Sequence, residues 1–414
     1  MTETAAPTEW RVVGETVPGA SHLRAGLPNQ DAILQVRESG RGLPLVVSVS
    51  DGHGSNKCFR SHRGSRFAVR KAAQLVGEFL DERRGTFDEG EIERALKETV
   101  PREFVRRWRE AVEADLKARP FAAEELEALE RKDGARARKL VEENPLLAYG
   151  ATSLTVAVEE SFILYLQLGD GEILCVSESG EVSKALAGDS RLFANETTSL
   201  CTADAEKNFR SRLQTLAAER PALVLVTTDG YANSFADEAG FLKVGSDLLE
   251  MLRADGIDPI NASLKGWLEE ATRAGSGDDT TLAIVCRVDA LRQPQTEART
   301  KTEGQTKIEG ATDTQSATDA ASTNADAGTN KTAAAATAAS ETKAVAPETK
   351  AVVSGTNDAP PPAATAEVVL TEPATAEKAS PPASRNASAS ALANAVAPPI
   401  KPRGAVKPGK RKSE

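Results

Sequence analysis

The chain has 414 residues, a net charge of −10 and a hydrophobic content of 40%. No apolar run approaches the ~20 residues that span a bilayer, and the acidic residues 1–4 contain no secretory signal, so neither a membrane-spanning nor a secreted protein is expected. The net negative charge argues against broad nucleic-acid binding by a folded domain. The four cysteines lack Cys-x-x-Cys spacing, which predicts reduced thiols in a cytoplasmic protein instead of a zinc site or a disulfide framework.

The N-terminal region is predicted to contain two strands separated by a turn and a loop. We expect a short polar lead at 1–9, a strand at 10–17, a turn at 18–21, a loop at 22–30 and a strand at 32–37. The loop ends in Asn29-Gln30-Asp31. Asp31 therefore stands immediately before a strand.

The next apolar run, residues 45–50, contains three valines and predicts a buried strand. It stops at Asp51-Gly52-His53-Gly54, so the Asp51 carboxylate is held at the end of a rigid element. Gly52 lets its carbonyl approach a ligand without a side chain in the way. Carboxylate and carbonyl oxygens are the ligands that Mg²⁺ and Mn²⁺ select, although a single Asp-Gly pair is more often an ordinary turn.

Residues 60–145 are predicted to form a helical segment that serves as scaffold. Apolar side chains recur at helical spacing over 61–83. A second helix is expected at 89–117 with an interruption near Pro101, and a charged helix at 121–143. The arginines at the start of the first helix favour a solvated cationic face; the alternative is that Arg60 or Arg63 attracts phosphate.

The region from residue 150 onward is predicted to begin with a β-meander. Strands at 152–158, 161–168 and 172–177 are joined by tight turns, the second of which is Gly169-Asp170-Gly171. A helix is expected at about 208–218. Long antiparallel strands combined with amphipathic helices predict an α+β fold with sheets packed face to face and helices outside.

Two further strand ends carry acids in the last part of this region. The run 223–228 leads into Asp229-Gly230, and Gly277-Asp278-Asp279 precedes a strand that ends near residue 288. Helices at 240–254 and 260–272 lie between them. Carboxylates that converge at strand ends repel one another, so such an arrangement is costly without a metal ion.

From residue 291 to 414 the composition changes to Ala, Thr, Glu, Pro, Ser and Asn. Too little apolar area remains to offset chain entropy, so a disordered tail is predicted. Its basic end would favour an acidic protein, anionic lipid or nucleic acid; a solubilising tail without a partner is the alternative.

The order of these motifs resembles that of the metal-dependent type-2C protein phosphatases, in their divergent bacterial branch. The motifs are Asn29-Gln30-Asp31, Asp51-Gly52-His53-Gly54, Gly150-Ala151-Thr152, Gly169-Asp170-Gly171, Thr228-Asp229-Gly230 and Gly277-Asp278-Asp279. The resemblance implies a catalytic domain over residues 10–290 with an antiparallel β-sandwich flanked by helices, in the layer order αββα.

The resemblance also implies a site with two ions of Mn²⁺ or Mg²⁺. Asp51 would bridge the ions, the Gly52 carbonyl would bind one of them, and Asp229, Asp278 and Asp31 would complete or support the cluster. Asp170 is a candidate ligand for a third ion, or an ordinary hairpin acid. His53 would donate a proton to the leaving oxygen; the alternative is a turn histidine with no catalytic task.

Three departures from the family pattern concern the substrate phosphate and the metal shell. Gln30 stands where the family has an acid, Gly171 where it usually has serine, and the usual arginine position has no arginine. His22 and Arg24 are the nearby candidates for phosphate binding, and the alternative for Arg24 is a solvated loop charge.

The function that the resemblance implies is hydrolysis of phosphoserine and phosphothreonine by metal-activated water, on the protein substrates of a serine/threonine kinase, and thus a role in signalling. One alternative is a catalytically weak phosphatase-like module that binds or regulates. Another is a phosphatase that acts on a small phosphorylated metabolite.

Overall fold

A computed structural model of the chain describes residues 9–36, 43–187 and 198–292. Its strands are β1 Trp10–Val17, β2 Ala32–Val36, β3 Leu45–Ser50, β4 Ser153–Val158, β5 Phe162–Leu168, β6 Glu172–Val176, β7 Val182–Lys184, β8 Arg210–Thr215, β9 Leu223–Thr227 and β10 Thr280–Arg287. The predicted polar lead, except its last residue, and the predicted disordered tail from residue 293 onward lie outside the described residues.

The helices lie between and after these strands. They are α1 Ala20–Ala25, α2 Ser61–Glu82, α3 Glu89–Ala118, α4 Ala123–Asp133, α5 Ala135–Glu143, α6 Asp229–Ala232, α7 Glu238–Asp255, α8 Ile257–Ala274 and α9 Val288–Leu291, with short 3₁₀ helices at Asn56–Cys58, Pro145–Tyr149 and Ala205–Asn208. Among these described helices, none has both the length and the apolar character to cross a membrane.

The strands form two five-stranded antiparallel sheets. One has the order β1-β10-β9-β6-β7 and the other β2-β3-β4-β5-β8. Inward-facing apolar residues of both sheets, including Trp10, Val47 and Val226, form the central core. This arrangement confirms the predicted β-sandwich.

Two outer cores attach a helical layer to each sheet. One joins α2 and α3 to the sheet that contains β5, around Phe104 and Leu164. The other joins α7 and α8 to the sheet that contains β10, around Leu248 and Ile284. The layer order is therefore αββα, as the sequence predicts, because each amphipathic helix buries its apolar face on a sheet.

The predicted helix at 208–218 is wrong. The segment forms the edge strand β8, in which Arg210 to Thr215 pair with β5. Gln214 is buried and accepts a hydrogen bond of 2.8 Å from the Tyr165 hydroxyl. Pairing to a neighbouring strand, which is not visible in the local pattern, decides this element.

Three helical regions also differ from expectation. α3 runs through Pro101 without interruption. An interior proline removes a hydrogen bond and clashes with the preceding turn, and the buried side chains on both sides, such as Leu96 and Phe104, offset this cost by packing in the core. α1 occupies the end of the turn expected at 18–21 and the first part of the loop expected at 22–30. The charged helix at 121–143 is two helices, divided at Gly134 with φ of +83°.

Candidate metal centre

Antiparallel pairing brings the acid-bearing strand ends of one sheet together. β2 begins where β3 ends, since Ala32 pairs with Ser50. Asp31 precedes Ala32 and Asp51 follows Ser50. These two carboxylates are therefore delivered to the same edge of the sandwich.

The second sheet delivers its acids in the same way. The end of β9 lies beside the start of both its neighbours, with Thr227 paired to Leu282 of β10 and to Glu172 of β6. The acids next to these three strand ends are Asp229, Asp278 and Asp170.

Four of these acids form what we call the acidic cluster: Asp31, Asp51, Asp170 and Asp229. Asp51, Asp170 and Asp229 each have a carboxylate oxygen within 4.8 Å of the other two. The Asp51 and Asp229 carboxyl groups are close enough to share a hydrogen bond. The cluster joins acids from both sheets in a volume that a metal ion would fill.

Asp31 lies at the base of the cluster and is 4% exposed. Its Oδ2 accepts hydrogen bonds of 2.7 Å from the hydroxyls of Thr228 and Thr281. Its Oδ1 is buried and has no hydrogen-bond partner among the described residues. A buried unpaired carboxylate oxygen is costly, and a cation or a metal-bound water would satisfy it.

Burial and mutual repulsion raise the pKa values of the cluster. Burial raises the pKa of Asp31 to about 8, with further contributions from the charges of Asp279 and Asp229. Burial, followed by the charge of Asp31, raises the pKa of Asp51 well above its usual value. Burial and then Asp170 raise the pKa of Asp229. Bound divalent cations would reverse this penalty, so the residues present fit Mg²⁺ or Mn²⁺, which prefer carboxylate and carbonyl oxygens.

The backbone around Asp51 is held by the Gly150-Ala151-Thr152 motif. The Asp51 N–H donates to Thr152 Oγ1 at 2.9 Å, and the Thr152 N–H donates to the Asp51 carbonyl at 2.8 Å. A Cβ on Gly52 would lie 2.7 Å from the Gln30 carbonyl oxygen and 2.8 Å from that of Ser61. Only glycine fits there, which keeps the position beside Asp51 free of a side chain.

His53 follows in the same loop. Its N–H donates to the Gly150 carbonyl at 3.1 Å, and a Cβ on Gly150 would lie 2.8 Å from its Cδ2, so its ring packs directly over that glycine. Burial lowers the pKa of His53, and the Asp170 carboxylate opposes this shift. The protonation of His53 thus depends on a member of the acidic cluster.

His22 and Arg24, the candidates for phosphate binding, occupy different environments. The His22 ring lies between two carboxylates, with Nδ1 2.8 Å from Asp279 Oδ2 and Nε2 3.6 Å from Asp278 Oδ1. Arg24 is exposed on α1. His22 is therefore placed next to a predicted metal ligand, and the assignment of phosphate binding to either residue stays a prediction.

Asp278 and Asp279 have separate environments although they are adjacent. The Asp278 side chain is 53% exposed, and its charge raises the pKa values of Asp51 and Asp229, which places it near the acidic cluster. Asp279 is buried and accepts 2.6 Å hydrogen bonds from the backbone N–H groups of Gly19 and Gln30. Asp279 thus fastens the N-terminal loop to the start of β10.

Arg60 and Arg63 were expected either to lie on a solvated cationic face or to attract phosphate, and their contacts match neither expectation. Arg60 is 7% exposed and donates to both Glu125 oxygens, at 2.9 and 2.6 Å, and to the Tyr149 hydroxyl at 2.8 Å. Arg63 pairs with Asp115, with its Nε 2.8 Å from Oδ2. Both arginines bind acids of the helical segment, which leaves neither on a freely solvated face.

Sequence reasoning did not identify four residues that support the site. They are Thr152, Thr228, Thr281 and Asp279. Each lies in, or within two residues of, one of the acid- or glycine-containing motifs. That proximity is the only feature of the sequence that pointed to a role at the site. Their partners are 101 to 260 positions away in the chain, so local patterns could not assign their contacts.

Comparisons with known proteins find one family and a set of solved structures. A family model described as "Protein phosphatase 2C" matches residues 18–269. Similar solved structures include a bacterial serine phosphatase (13% identity, TM-score 0.39, 67% of this chain and 97% of that chain). Others are the serine/threonine phosphatase Stp1 from Staphylococcus aureus (13%, 0.42, 66% and 94%) and the Mycobacterium tuberculosis serine/threonine phosphatase PstP/Ppp (14%, 0.41, 67% and 98%). A search of curated protein sequences finds no match.

Proposed function

The chain belongs to the protein phosphatase 2C family, and on this premise we propose that it is a metal-dependent phosphatase that hydrolyses phosphoserine and phosphothreonine in proteins. The observation that carries the proposal is the acidic cluster, in which buried and half-buried acids from both sheets converge and one oxygen of Asp31 lacks a partner among the described residues. A fold without a cation has no use for such mutually repelling groups.

The ligands in this proposal are backbone and side-chain oxygens at the strand ends. Asp51, the Gly52 carbonyl, Asp229 and Asp278 would hold two ions of Mn²⁺ or Mg²⁺. Asp31 would support the pair directly or through water, and Asp170 is the candidate ligand for a third ion. When bound, the ions would supply an activated water and neutralise charge on the phosphoryl oxygens.

The protein's own residues would position the metal-binding carboxylates and protonate the leaving oxygen. The Thr152 hydrogen bonds fix the Asp51 backbone, and the two threonine hydroxyls fix Asp31. His53, adjacent to Gly52 and influenced by Asp170, would give a proton to the serine or threonine oxygen as it leaves, because an alkoxide is a poor leaving group. Phosphoproteins made by a serine/threonine kinase are the expected substrates.

A catalytically weak phosphatase-like module is the second candidate function. The placement of the two candidate phosphate-binding residues favours it, since Arg24 is exposed and the His22 ring faces Asp278 and Asp279. With no arginine at the usual family position, the grip on the substrate phosphate would be weaker. Gln30 and Gly171 are further departures from the family pattern.

Phosphate release from a phosphothreonine peptide by the full-length protein tests the proposal. Release should require Mn²⁺ or Mg²⁺, stop with EDTA, and be lost in Asp51→Asn. Parallel assays with a small phosphorylated metabolite separate the protein substrate from the metabolite alternative. Divalent-dependent binding of the peptide without phosphate release would favour the weak module instead.

A further inference from the structure

A cavity of about 230 Å³ lies beside the loop of residues 51–54, which we call the metal loop. Its walls come from the loop before β2, the segment after His53 and helix α4. Most of the wall is apolar and is formed by Leu27, Pro28, Phe59, Ala128 and Leu129. Leu27 is 44% exposed.

The cavity adjoins the loop that carries the candidate metal centre. Gly54 belongs to the Asp51-Gly52-His53-Gly54 motif and also lines the cavity. Three residues of extended chain span at most about 11 Å, so Asp51 and Gly54 lie within that distance. A Cβ on Gly54 would meet only Gln30 Oε1, at 3.8 Å, among the described atoms. No side chain at this position therefore separates the cavity from the loop that carries Asp51.

Helix α4, which forms one wall, is fixed at both of its ends to the segment that follows the metal loop. Near its start Glu125 pairs with Arg60, which lies just before α2. At its end Asp133 accepts a 2.8 Å hydrogen bond from Asn56. The Phe59 and Phe121 rings also pack edge to face, with centroids 5.2 Å apart. These contacts keep the cavity formed before any ligand binds.

The size and charge of the cavity define what it would accept. An apolar cavity of about 150 Å³ holds a benzene molecule, so 230 Å³ has room for one leucine- or phenylalanine-sized side chain. Glu125 on the wall is neutralised by Arg60. Lys132 also lines the cavity, is exposed, and makes no ion pair with any described residue. The complementary ligand therefore has an apolar side chain next to a carboxylate.

We propose that this cavity is a substrate subsite, in which a large apolar side chain one to three positions from the phosphorylated residue enters between Leu27 and Ala128 while an adjoining acidic residue faces Lys132. The range of positions follows from the span between Asp51 and Gly54, since consecutive Cα atoms are about 3.8 Å apart. The subsite deepens the proposed function and rests on it.

The test compares phosphothreonine peptides as substrates of the full-length protein with Mn²⁺. One set places a single leucine at each position from −3 to +3 in an alanine-rich peptide. The best leucine peptide should exceed its all-alanine counterpart about tenfold in kcat/KM, as expected for methylene groups in an apolar pocket. Ala128→Phe should fill the cavity and remove that preference. Ala114→Phe, at an exposed alanine of α3, is the matched control and should keep it.

A second pair of variants tests the charge. A peptide with Asp beside the preferred leucine should be favoured over its Lys counterpart by about two- to fivefold, the range for an exposed ion pair, and the ratio should approach one at high salt. Lys132→Glu should invert the ratio. Lys265→Glu makes the same change in net charge on the exposed face of α8 and should leave the ratio as in the wild type.

Two results would overturn the subsite while leaving the phosphatase chemistry in place. The first is equal kcat/KM for the leucine and alanine peptides. The second is a leucine preference that survives Ala128→Phe together with an Asp/Lys ratio that Lys132→Glu does not change. An aryl phosphate monitors the chemistry independently of any subsite. If Mn²⁺ supports hydrolysis of neither aryl phosphate nor peptide, the proposed function itself fails, and the subsite fails with it.

Discussion

Asp31→Asn should stabilise the metal-free protein at pH 7 although it removes a predicted metal-site residue. The pKa of Asp31 is raised from 3.8 to about 8, chiefly by burial. Between the unfolded-state pKa and pH 7 this shift costs the folded state about 4 kcal/mol, at about 1.4 kcal/mol per unit. The asparagine keeps an oxygen for Thr228 and Thr281 but buries an amide nitrogen at the position of the unpaired Oδ1. An unpaired donor costs about 1–3 kcal/mol, so a net gain of about 1–3 kcal/mol is expected.

The sign of the pH dependence follows from the direction of the shift. An acid with a raised pKa binds its proton more tightly in the folded state, so the metal-free wild type loses stability as the pH rises from about 4 to about 8. Below about pH 4 Asp31 is protonated in both states, and the advantage of the asparagine should vanish there. Urea unfolding in EDTA at about pH 3.5, 5 and 7 measures the difference as a shift in midpoint at constant m.

Asp115→Asn is the matched control because Asp115 is a buried acid with the opposite shift. Burial raises the pKa of Asp115, but hydrogen bonds from Arg63 and Tyr149 outweigh it and the net shift is downward. Neutralising Asp115 leaves Arg63 without its partner and should destabilise the protein by about 1–3 kcal/mol. If Asp31→Asn destabilises the metal-free protein as Asp115→Asn does, burial of the Asp31 carboxylate does not carry the expected free-energy cost. With excess Mn²⁺ the wild type should gain more stability than Asp31→Asn.

Three further predictions concern activity. Asp51→Ala or Asp229→Ala should reduce divalent-dependent hydrolysis by more than about 100-fold with an unchanged circular dichroism spectrum; near-wild-type turnover in Asp51→Ala would contradict its assignment as bridging ligand. His53→Gln should lose about 10²-fold or more on a phosphopeptide but less than about tenfold on an aryl phosphate, because a phenolate needs no protonation to leave; equal losses would indicate a positioning role. A protein ending at Arg292 should keep its turnover of a short phosphopeptide, while losing any salt-sensitive association with a polyanion; loss of peptide turnover would place the tail within the active unit.

The local sequence determined the strand ends that carry the acids. The apolar runs before Asp51 and Asp229 are long enough and β-branched enough to form buried strands in many contexts, and both strands end just before the acid. The combination of antiparallel strands and amphipathic helices also determined the layer order, since the apolar face of each helix and sheet must be covered. These features depend on patterns of a few neighbouring residues, and for that reason they could be predicted from the sequence.

The edge strand β8 and the continuous α3 show where local patterns fail. Residues 208–218 contain no strong strand signal, and their conformation follows from pairing with β5. Pro101 is a helix breaker in isolation, yet the buried residues on both sides of it keep the helix intact. In both cases the free energy of tertiary packing exceeds the intrinsic preference of the segment.

Only the tertiary structure decided what the charged residues outside the motifs do. Asp279 is adjacent to a predicted ligand, but its carboxylate binds the backbone of Gly19, 260 positions away. Arg60 stands among several arginines that look alike in the sequence, and it holds Glu125, 65 positions away, at the wall of the cavity. A charged side chain in water has many equivalent partners, and burial restricts it to the few groups that the fold places within hydrogen-bonding distance. Those distances depend on the packing of the sheets and helices, which no local stretch of sequence contains.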